Sequence, residues 1–280
     1  MQISSINVHP VKSTAIRPLQ SAYAARPGLR GDREWMVVLD DGTLLTAREW
    51  PALFSIVADT PDTDPSVTHA LRLRADGSEP LELNTPEAQP VPVRLHRHDL
   101  KAVPAGSAAD AWIQQVIGRA DVHLMWCHDP HARGLNPKHS RPGDYTAFAD
   151  GYPVTLASTT SLVQLNQWIA QEAADRGEPV PDPLPMQRFR PNLVVDGIDE
   201  PFAEDGWHRI RIGEVELRVA KSIDRCVMTT IDTDALTKGK EPIRTLARHR
   251  KWDGKTWFAR HLIPDTEGVI RLGDPVIVLE

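Results

Sequence analysis

Four short clusters combine residue types that could hold an anionic group or a metal. The first is His9-Pro10-Val11-Lys12-Ser13, where an ammonium and a hydroxyl sit side by side after an apolar run. Such a pair suits an anionic oxygen, although a solvated turn would use the same residues. The second is Gly31-Asp32-Arg33, followed by Thr46-Ala47-Arg48. A guanidinium can grip phosphate or carboxylate through two parallel N–H bonds. Asp32–Arg33 and Arg48–Glu49 could equally be surface pairs, which contribute little. The third, Arg188-Phe189-Arg190-Pro191-Asn192, sets two arginines and an asparagine around a proline, just before the apolar run Leu193-Val194-Val195. Rigid scaffolds present ligand-binding groups at strand ends; an exposed basic lead into a strand is the plainer alternative.

The fourth cluster carries a thiol: Ser222-Ile223-Asp224-Arg225-Cys226-Val227. A cysteine beside an arginine is biased toward thiolate, the form that attacks electrophiles and binds metals, while Asp224 pulls the other way. A lone cysteine entering an apolar strand is also a common small core residue. The other cysteine, Cys127, precedes His128 and His131 but lacks the further spaced ligands of a metal site. Together the clusters suggest one chemistry. Several cations and hydroxyls would hold an anionic, phosphate-bearing cofactor, and one thiolate would bind its reactive centre.

The elements that must position these groups read as mainly β with a few helices. Short strands are expected at 3–8, 34–39 with a hairpin partner at 43–47 across Asp40-Asp41-Gly42, and at 53–59, 70–74, 81–83 and 91–95. Strands of this length and spacing suggest a barrel or sandwich. Ser107 is expected to cap a helix over 108–118, stopped by Gly118. A strand at 122–126 leads into a polar loop, 127–145, longer than most connections and therefore a candidate rim or lid. Ser158 is expected to cap a second helix with Leu162, Leu165, Ile169 and Ala173 on one face, ending near Gly177. Four prolines within 178–185 exclude regular structure there. Further strands are expected at 193–195, 207–212, 214–219 and 227–230, a short basic helix at 242–250, and two strands about Gly273-Asp274 at the C-terminus.

The 280 residues suffice for two domains sharing a core, expected at 1–118 and 119–280. A formal net charge of −6 gives no electrostatic reason to expect nucleic-acid or membrane partners. Neither a signal peptide nor a run of roughly 18 apolar residues is visible, so the expected address is the cytoplasm. There a disulfide between the two cysteines is not expected.

The runs HPVKS (9–13), GLRGDREWMVV (28–38) with TAR (46–48), RFRPNLVV (188–195), DRCVMTT (224–230), EPIRTLARHR (241–250) and GVIRLGDPV (268–276) share order and spacing with one family. They resemble MOSC proteins with an N-terminal β-barrel domain; close relatives are the mitochondrial amidoxime-reducing components and their bacterial counterparts. The resemblance spans essentially the whole chain. It implies a β-barrel-like N-terminal domain packed on a MOSC β-barrel domain, with molybdenum and a pyranopterin dithiolene (molybdopterin) in the cleft between them; pyridoxal phosphate is not an expected cofactor. It matches Cys226 to the metal-ligating cysteine, Lys12, Ser13 and Arg33 to first-domain cofactor contacts, and Arg190 and Asn192 to second-domain contacts; Asp224 and Arg225, beside the ligand, are expected to bind the cofactor as well. The implied activity is oxygen removal from N-hydroxylated small molecules such as hydroxylamines and amidoximes. Alternatives are a non-catalytic carrier of the cofactor and a sulfur carrier with a persulfide on Cys226. Where the relatives read Cys-Ser-Arg-Cys, this chain reads Ile223-Asp224-Arg225-Cys226, which sets a carboxylate beside an anionic cofactor. Lacking clustered cysteines, the chain is expected to take electrons from a separate ferredoxin, flavoprotein or cytochrome-type donor.

Overall fold

The computed structural model describes residues 1–280, a mostly sheet protein with three helices, in two compact units. The first unit joins Met1–Asn7 and Gln20–Ala25 to Val154–Glu280; the second comprises Val8–Leu19 and Arg26–Pro153. The sequence suggests a division at 118/119. The strand Val122–Trp126 nevertheless stays with the second unit, because it pairs along its whole length with Trp35–Leu39.

In the second unit, strands run in the order Trp35–Leu39, Val122–Trp126, His98–Pro104, Val91–Leu95, all antiparallel. Met36, Val38, Val93, Leu95, Ala102, Met125 and Phe148 pack on one another as its core. The expected 34–47 hairpin closes through a Val38–Leu44 bridge flanked by Leu39 N–H to the Thr43 carbonyl (2.8 Å) and Leu45 N–H to the Val37 carbonyl (2.9 Å), while the outward Leu44 N–H donates to the Arg94 carbonyl at 2.9 Å. The expected 53–59 strand divides into a 3₁₀ turn, Pro51–Ser55, and a short strand, Val57–Asp59; proline at the first turn favours the helical φ. Helix α1 (Ser107–Ile117) starts one residue earlier than expected. Its N-cap is Gly106, so Ser107 does not cap, while Gly118 ends the helix in the left-handed conformation as expected.

In the first unit, strands run in the order Val276–Val278, Arg209–Ile212, Val215–Asp224, Lys255–Pro264, Val154–Ser158, Leu193–Asp196, Gln2–Val8. Neighbours are antiparallel except Val154–Ser158 and Leu193–Asp196, which are parallel and joined through helix α2 (Thr159–Asp175). A parallel neighbour requires such a crossover. Ser158 caps α2 by accepting the Ser161 N–H, as expected. Strand pairing alone does not close the sheet into a barrel. The gap is spanned by a Gln2–Pro275 bridge and by backbone bonds Ile3 N–H to Asp274 (3.0 Å) and Val276 N–H to Met1 (3.1 Å). The two C-terminal strands do not pair with each other. Gly268–Arg271 pairs with Ser21–Ala25, and Val276–Val278 with Arg209–Ile212. Helix α3 (Ile243–His249) matches the expected basic helix. No helix is long and apolar enough to cross a membrane.

Candidate functional site

The first unit contains Arg190, Asn192, Asp224, Arg225 and Cys226. Cys226 is exposed and follows the long strand Val215–Asp224. The residues after it form a 3₁₀ turn, Val227–Thr230, where the sequence suggests a strand. The Cys226 carbonyl accepts both the Thr229 N–H (3.1 Å) and its hydroxyl (3.0 Å), and the Thr230 hydroxyl bonds back to Val227. Threonine hydroxyls that satisfy the backbone three residues earlier compete with strand pairing. On the other side, Arg225 N–H donates to the Thr256 carbonyl at 2.8 Å, and the Thr256 hydroxyl donates to the Arg225 carbonyl at 3.0 Å. The thiol thus stands on a backbone pinned from both directions.

Arg225 turns inward. Its Nε donates to the Phe258 carbonyl (2.7 Å) and Nη1 to the Phe189 carbonyl (3.1 Å). The guanidinium also lies 5.5 and 5.9 Å from the Phe189 and Phe258 ring centres, and those rings pack at 4.1 Å. Nη2 is buried with no hydrogen-bond partner. Burial pushes the guanidinium pKa down to about 9, against the favourable charges of Cys226 and Asp224. A buried cation with an unused donor is costly unless an anion meets it. The structure therefore fits an anionic ligand beside Cys226.

Asp224 projects to the surface 3.5 Å from Lys255, which answers the carboxylate that the sequence sets beside the cysteine. Arg190 follows the 3₁₀ turn Met186–Phe189 in the left-handed conformation (φ 50°), one residue beyond the carbonyl that Arg225 grips. Asn192 is fully buried. Its Oδ1 accepts from the Thr155 N–H (3.1 Å) and hydroxyl (3.0 Å), and its Nδ2 donates to the Asn7 carbonyl (3.1 Å), so its amide ties three strands together. An open groove of about 660 Å³ adjoins the turn after Cys226, lined by Leu184, Arg188, Thr230, Asp232, Lys240 and Arg244 among others.

Lys12, Ser13 and Arg33 lie in the second unit. Lys12 is buried, with its ammonium 2.5 Å from Asp150 Oδ1 and 2.9 Å from the Phe148 carbonyl. Burial pushes it down to about 8 despite Asp150. The Asp150 side chain is half-exposed; desolvation by the surrounding protein works against its charge, yet Lys12, His96 (3.0 Å) and Arg48 (3.5 Å) outweigh it and hold the carboxyl well below its usual range. Arg133 braces the same segment through the carbonyls of Ala147 (2.7 Å), Ala149 and Asp150 (2.9 Å). Arg33 pairs with Asp32 at 2.5 Å. Burial opposes the Asp32 charge as well, but Arg33 and His9 prevail and bring it to about 2. Ser13 and Arg33 have φ of 69° and 53°. Non-glycine residues in this region carry strain that concentrates at functional sites. Gly28 shows why glycine stands in the same motif, since a Cβ there would lie 2.8 Å from the Pro153 carbonyl oxygen.

Sequence reasoning misses Asp150, Arg133 and Thr256. Only tertiary contacts join them to Lys12 and Cys226, and no local pattern marks them. Burial pushes the half-buried Cys127 thiol up to about 12, which favours its protonated form at neutral pH.

A sheet-rich chain with an exposed cysteine after one of its two longest strands, and basic residues at positive φ in both units, defines a class of cysteine-presenting β proteins. More specifically, the chain belongs to the MOSC family: the MOSC domain matches residues 144–277 and the MOSC N-terminal beta barrel domain residues 1–120. It is 30% identical to human mitochondrial amidoxime-reducing component 1, over 99% of this chain and 82% of that protein. It is 29% identical to rat mitochondrial amidoxime reducing component 2, over 98% and 82% respectively. Among solved structures, the YUAD protein of Bacillus subtilis aligns over 98% of this chain and 93% of its own, with 10% identity and a TM-score of 0.39.

Proposed function

We propose that this protein is a molybdenum-cofactor-dependent reductase of N-hydroxylated small molecules, with Cys226 as the protein ligand to the metal. The observation that carries the reading is the exposed thiol on a doubly pinned backbone, next to a buried guanidinium with one unused N–H. Relatives named for amidoxime reduction, similar over nearly the whole chain, support the reaction class. The bound cofactor would supply two-electron removal of oxygen from the N–OH group.

The net change needs two electrons and two protons, converting N–OH to N–H and releasing water, with the electrons drawn from a separate donor protein. Arg225 favours an anionic group beside Cys226, because its fixed charge acts through a low-dielectric surround. Thr256, Thr229 and the Phe189–Phe258 pair hold the sulfur in one position, as a metal ligand requires. Arg190 is proposed as a cofactor contact and Asn192 as its positioning residue. Lys255 screens the Asp224 carboxylate from the anion. In the second unit, Lys12, Ser13 and Arg33 are proposed anion-binding groups. The groove beside Thr230 is the proposed approach for substrate.

The test is metal and pterin content after expression in a molybdenum-replete host, for wild type and Cys226→Ala, followed by turnover of an aryl amidoxime with reduced methyl viologen. Stoichiometric molybdenum and pterin in wild type, lost or loosened in the variant, with viologen-driven turnover, support the reading. Neither metal nor pterin in wild type refutes it, and a cyanide-labile sulfur on Cys226 would then identify a persulfide carrier. Cofactor that passes readily to an acceptor apoenzyme, without turnover, would identify a carrier.

A further inference from the structure

The ring of His123 joins three elements of the second unit. His123 lies on strand Val122–Trp126, in register with Val38. Its Nδ1 stands 2.8 Å from Asp110 Oδ2 in the first turn of α1, and its Nε2 stands 2.9 Å from Asp40 Oδ1, just after strand Trp35–Leu39. Asp110 Oδ1 accepts the Leu124 N–H at 2.9 Å, so this carboxylate is engaged at both oxygens. The Asp110 side chain is 18% exposed and that of Asp40 71%.

The proton count decides the charge of the ring. A neutral imidazole has one N–H and one lone pair, whereas an ionised carboxylate only accepts. Carboxylates at both nitrogens are therefore satisfied together only by the imidazolium. The Asp110 bond raises the His123 pKa, desolvation opposes it, and the Asp40 bond and the two negative charges add to the rise. The other neighbours are already engaged or uncharged. Arg119 holds Asp121 at 2.6 and 2.9 Å, and Asp41 accepts the Thr43 N–H at 2.8 Å. Strand His98–Pro104 meets the His123 strand through Val103 and Pro104.

We propose that His123 is a proton-operated latch, which holds the Asp40-Asp41-Gly42 turn to α1 while charged and releases that turn on losing its proton. The inference is independent of the reductase reading. A neutral ring keeps a single N–H, and the more buried Asp110 retains it. Nε2 then turns a lone pair toward Asp40, and two acceptors repel. A histidine whose folded pKa is raised contributes its full stability below the unfolded value, about 6.5, and loses it as pH rises through the folded value. The latch is thus closed in mild acid and opens on the alkaline side. The turn ends a strand that begins two residues after Arg33, so the latch fastens the far end of a segment that carries a proposed anion-binding group. Solvent at Asp40 keeps the effect small and local.

The test uses the full chain and needs no bound metal. Protein labelled with nitrogen-15 is titrated by NMR, and the His123 ring is assigned among the 11 histidines by its loss in His123→Asn. Both ring nitrogens should carry protons at about pH 6, with a midpoint above the ordinary histidine value of about 6.5. That midpoint should fall in Asp110→Asn and in Asp40→Ala. Hydrogen exchange of residues 36–45 is then followed by mass spectrometry in wild type and Asp40→Ala, an exposed change that leaves the core untouched. At about pH 6 the variant should exchange about two- to fivefold faster, and at about pH 9 the two should match. Comparison at one pH cancels the intrinsic rate. A midpoint at or below the ordinary value, or one unmoved in both variants, overturns the latch. So does an exchange difference that is absent in acid or persists in alkali.

Discussion

In the second unit, the buried ammonium of Lys12 is met at 2.5 Å by Asp150, and Arg33 is met by Asp32. In the first unit, buried Arg225 leaves Nη2 without a partner and holds only neutral carbonyls, while Cys226 beside it is exposed. Each lysine or arginine is buried at a cost, but the two units offset that cost differently. An internal carboxylate completes the cation's surroundings and favours the fold whether or not a ligand comes. Carbonyls and aromatic faces satisfy geometry without cancelling charge, so the site gains most when an anion arrives. In the first unit a counter-charge for the buried cation would have to come from outside, whereas in the second the proposed anion-binding groups are already set in place by internal carboxylates.

The sharpest way to break that contrast is to remove the thiol. Cys226→Ser should lower amidoxime turnover by at least about a thousandfold, as expected when a group required for the chemistry is deleted. The melting temperature should stay near that of wild type, because the side chain is exposed. A large fall in melting temperature would mean that Cys226 is structural.

Arg225→Ala should cost about 3–4 kcal/mol in chemical denaturation, since two buried carbonyls lose their donor and the Phe189–Phe258 pair loses its filling. Arg225→Lys should rescue only part of this, because a point charge cannot span both carbonyls. Full rescue by lysine would remove the argument from geometry.

Asp150→Asn should cost about 1–2 kcal/mol, because Lys12 stays buried without its counter-charge; solvent reaching the half-exposed carboxylate limits the effect. If this variant proves as stable as wild type, the second unit does not depend on its own anion.

Glu204 gives a pH test within the first unit. It is 1% exposed, its Oε1 accepts from Ser161 at 2.7 Å, and Oε2 is buried without a partner. Burial raises its pKa, and the Ser161 bond only partly opposes that. A carboxyl whose folded pKa is raised contributes its full stability below the unfolded value and loses it as pH rises through the folded value. Glu204→Gln should therefore gain roughly 1 kcal/mol over wild type at pH 8 and little at acidic pH. An equal difference at both pH values would contradict the assignment. Smallest of all, Lys255→Ala should change stability by less than about 0.5 kcal/mol, since its pair with Asp224 is exposed.

Much of the architecture was legible in short patterns. Ser158 announced the cap of α2, Gly118 the end of α1, and Leu165, Ile169 and Ala173 the buried face of α2. Less legible was Lys255–Pro264, which pairs with both Val215–Asp224 and Val154–Ser158. Its residues KTWFARHLIP mix charge with apolar bulk and lack the alternation that marks a half-exposed strand. Burial inside the sheet rather than local propensity makes it a strand. The hairpin before it does leave a signal, Asp253-Gly254 between Trp252 and Lys255, although the strand assignments from sequence do not include it.

By itself the sequence determined the residue types of the candidate site, the order of its motifs and the one cysteine worth following, because those depend on identity and spacing. The tertiary structure alone decided which of the marked residues stay exposed and which brace the fold. Asn192 and Arg225 are polar in sequence, yet they turn inward to Asn7, Thr155, Phe189 and Phe258. Hydrogen-bond partners lying 33 to 185 residues away cannot be read from a local pattern. The charge of Lys12 likewise has a meaning only once Asp150, 138 residues on, is brought against it.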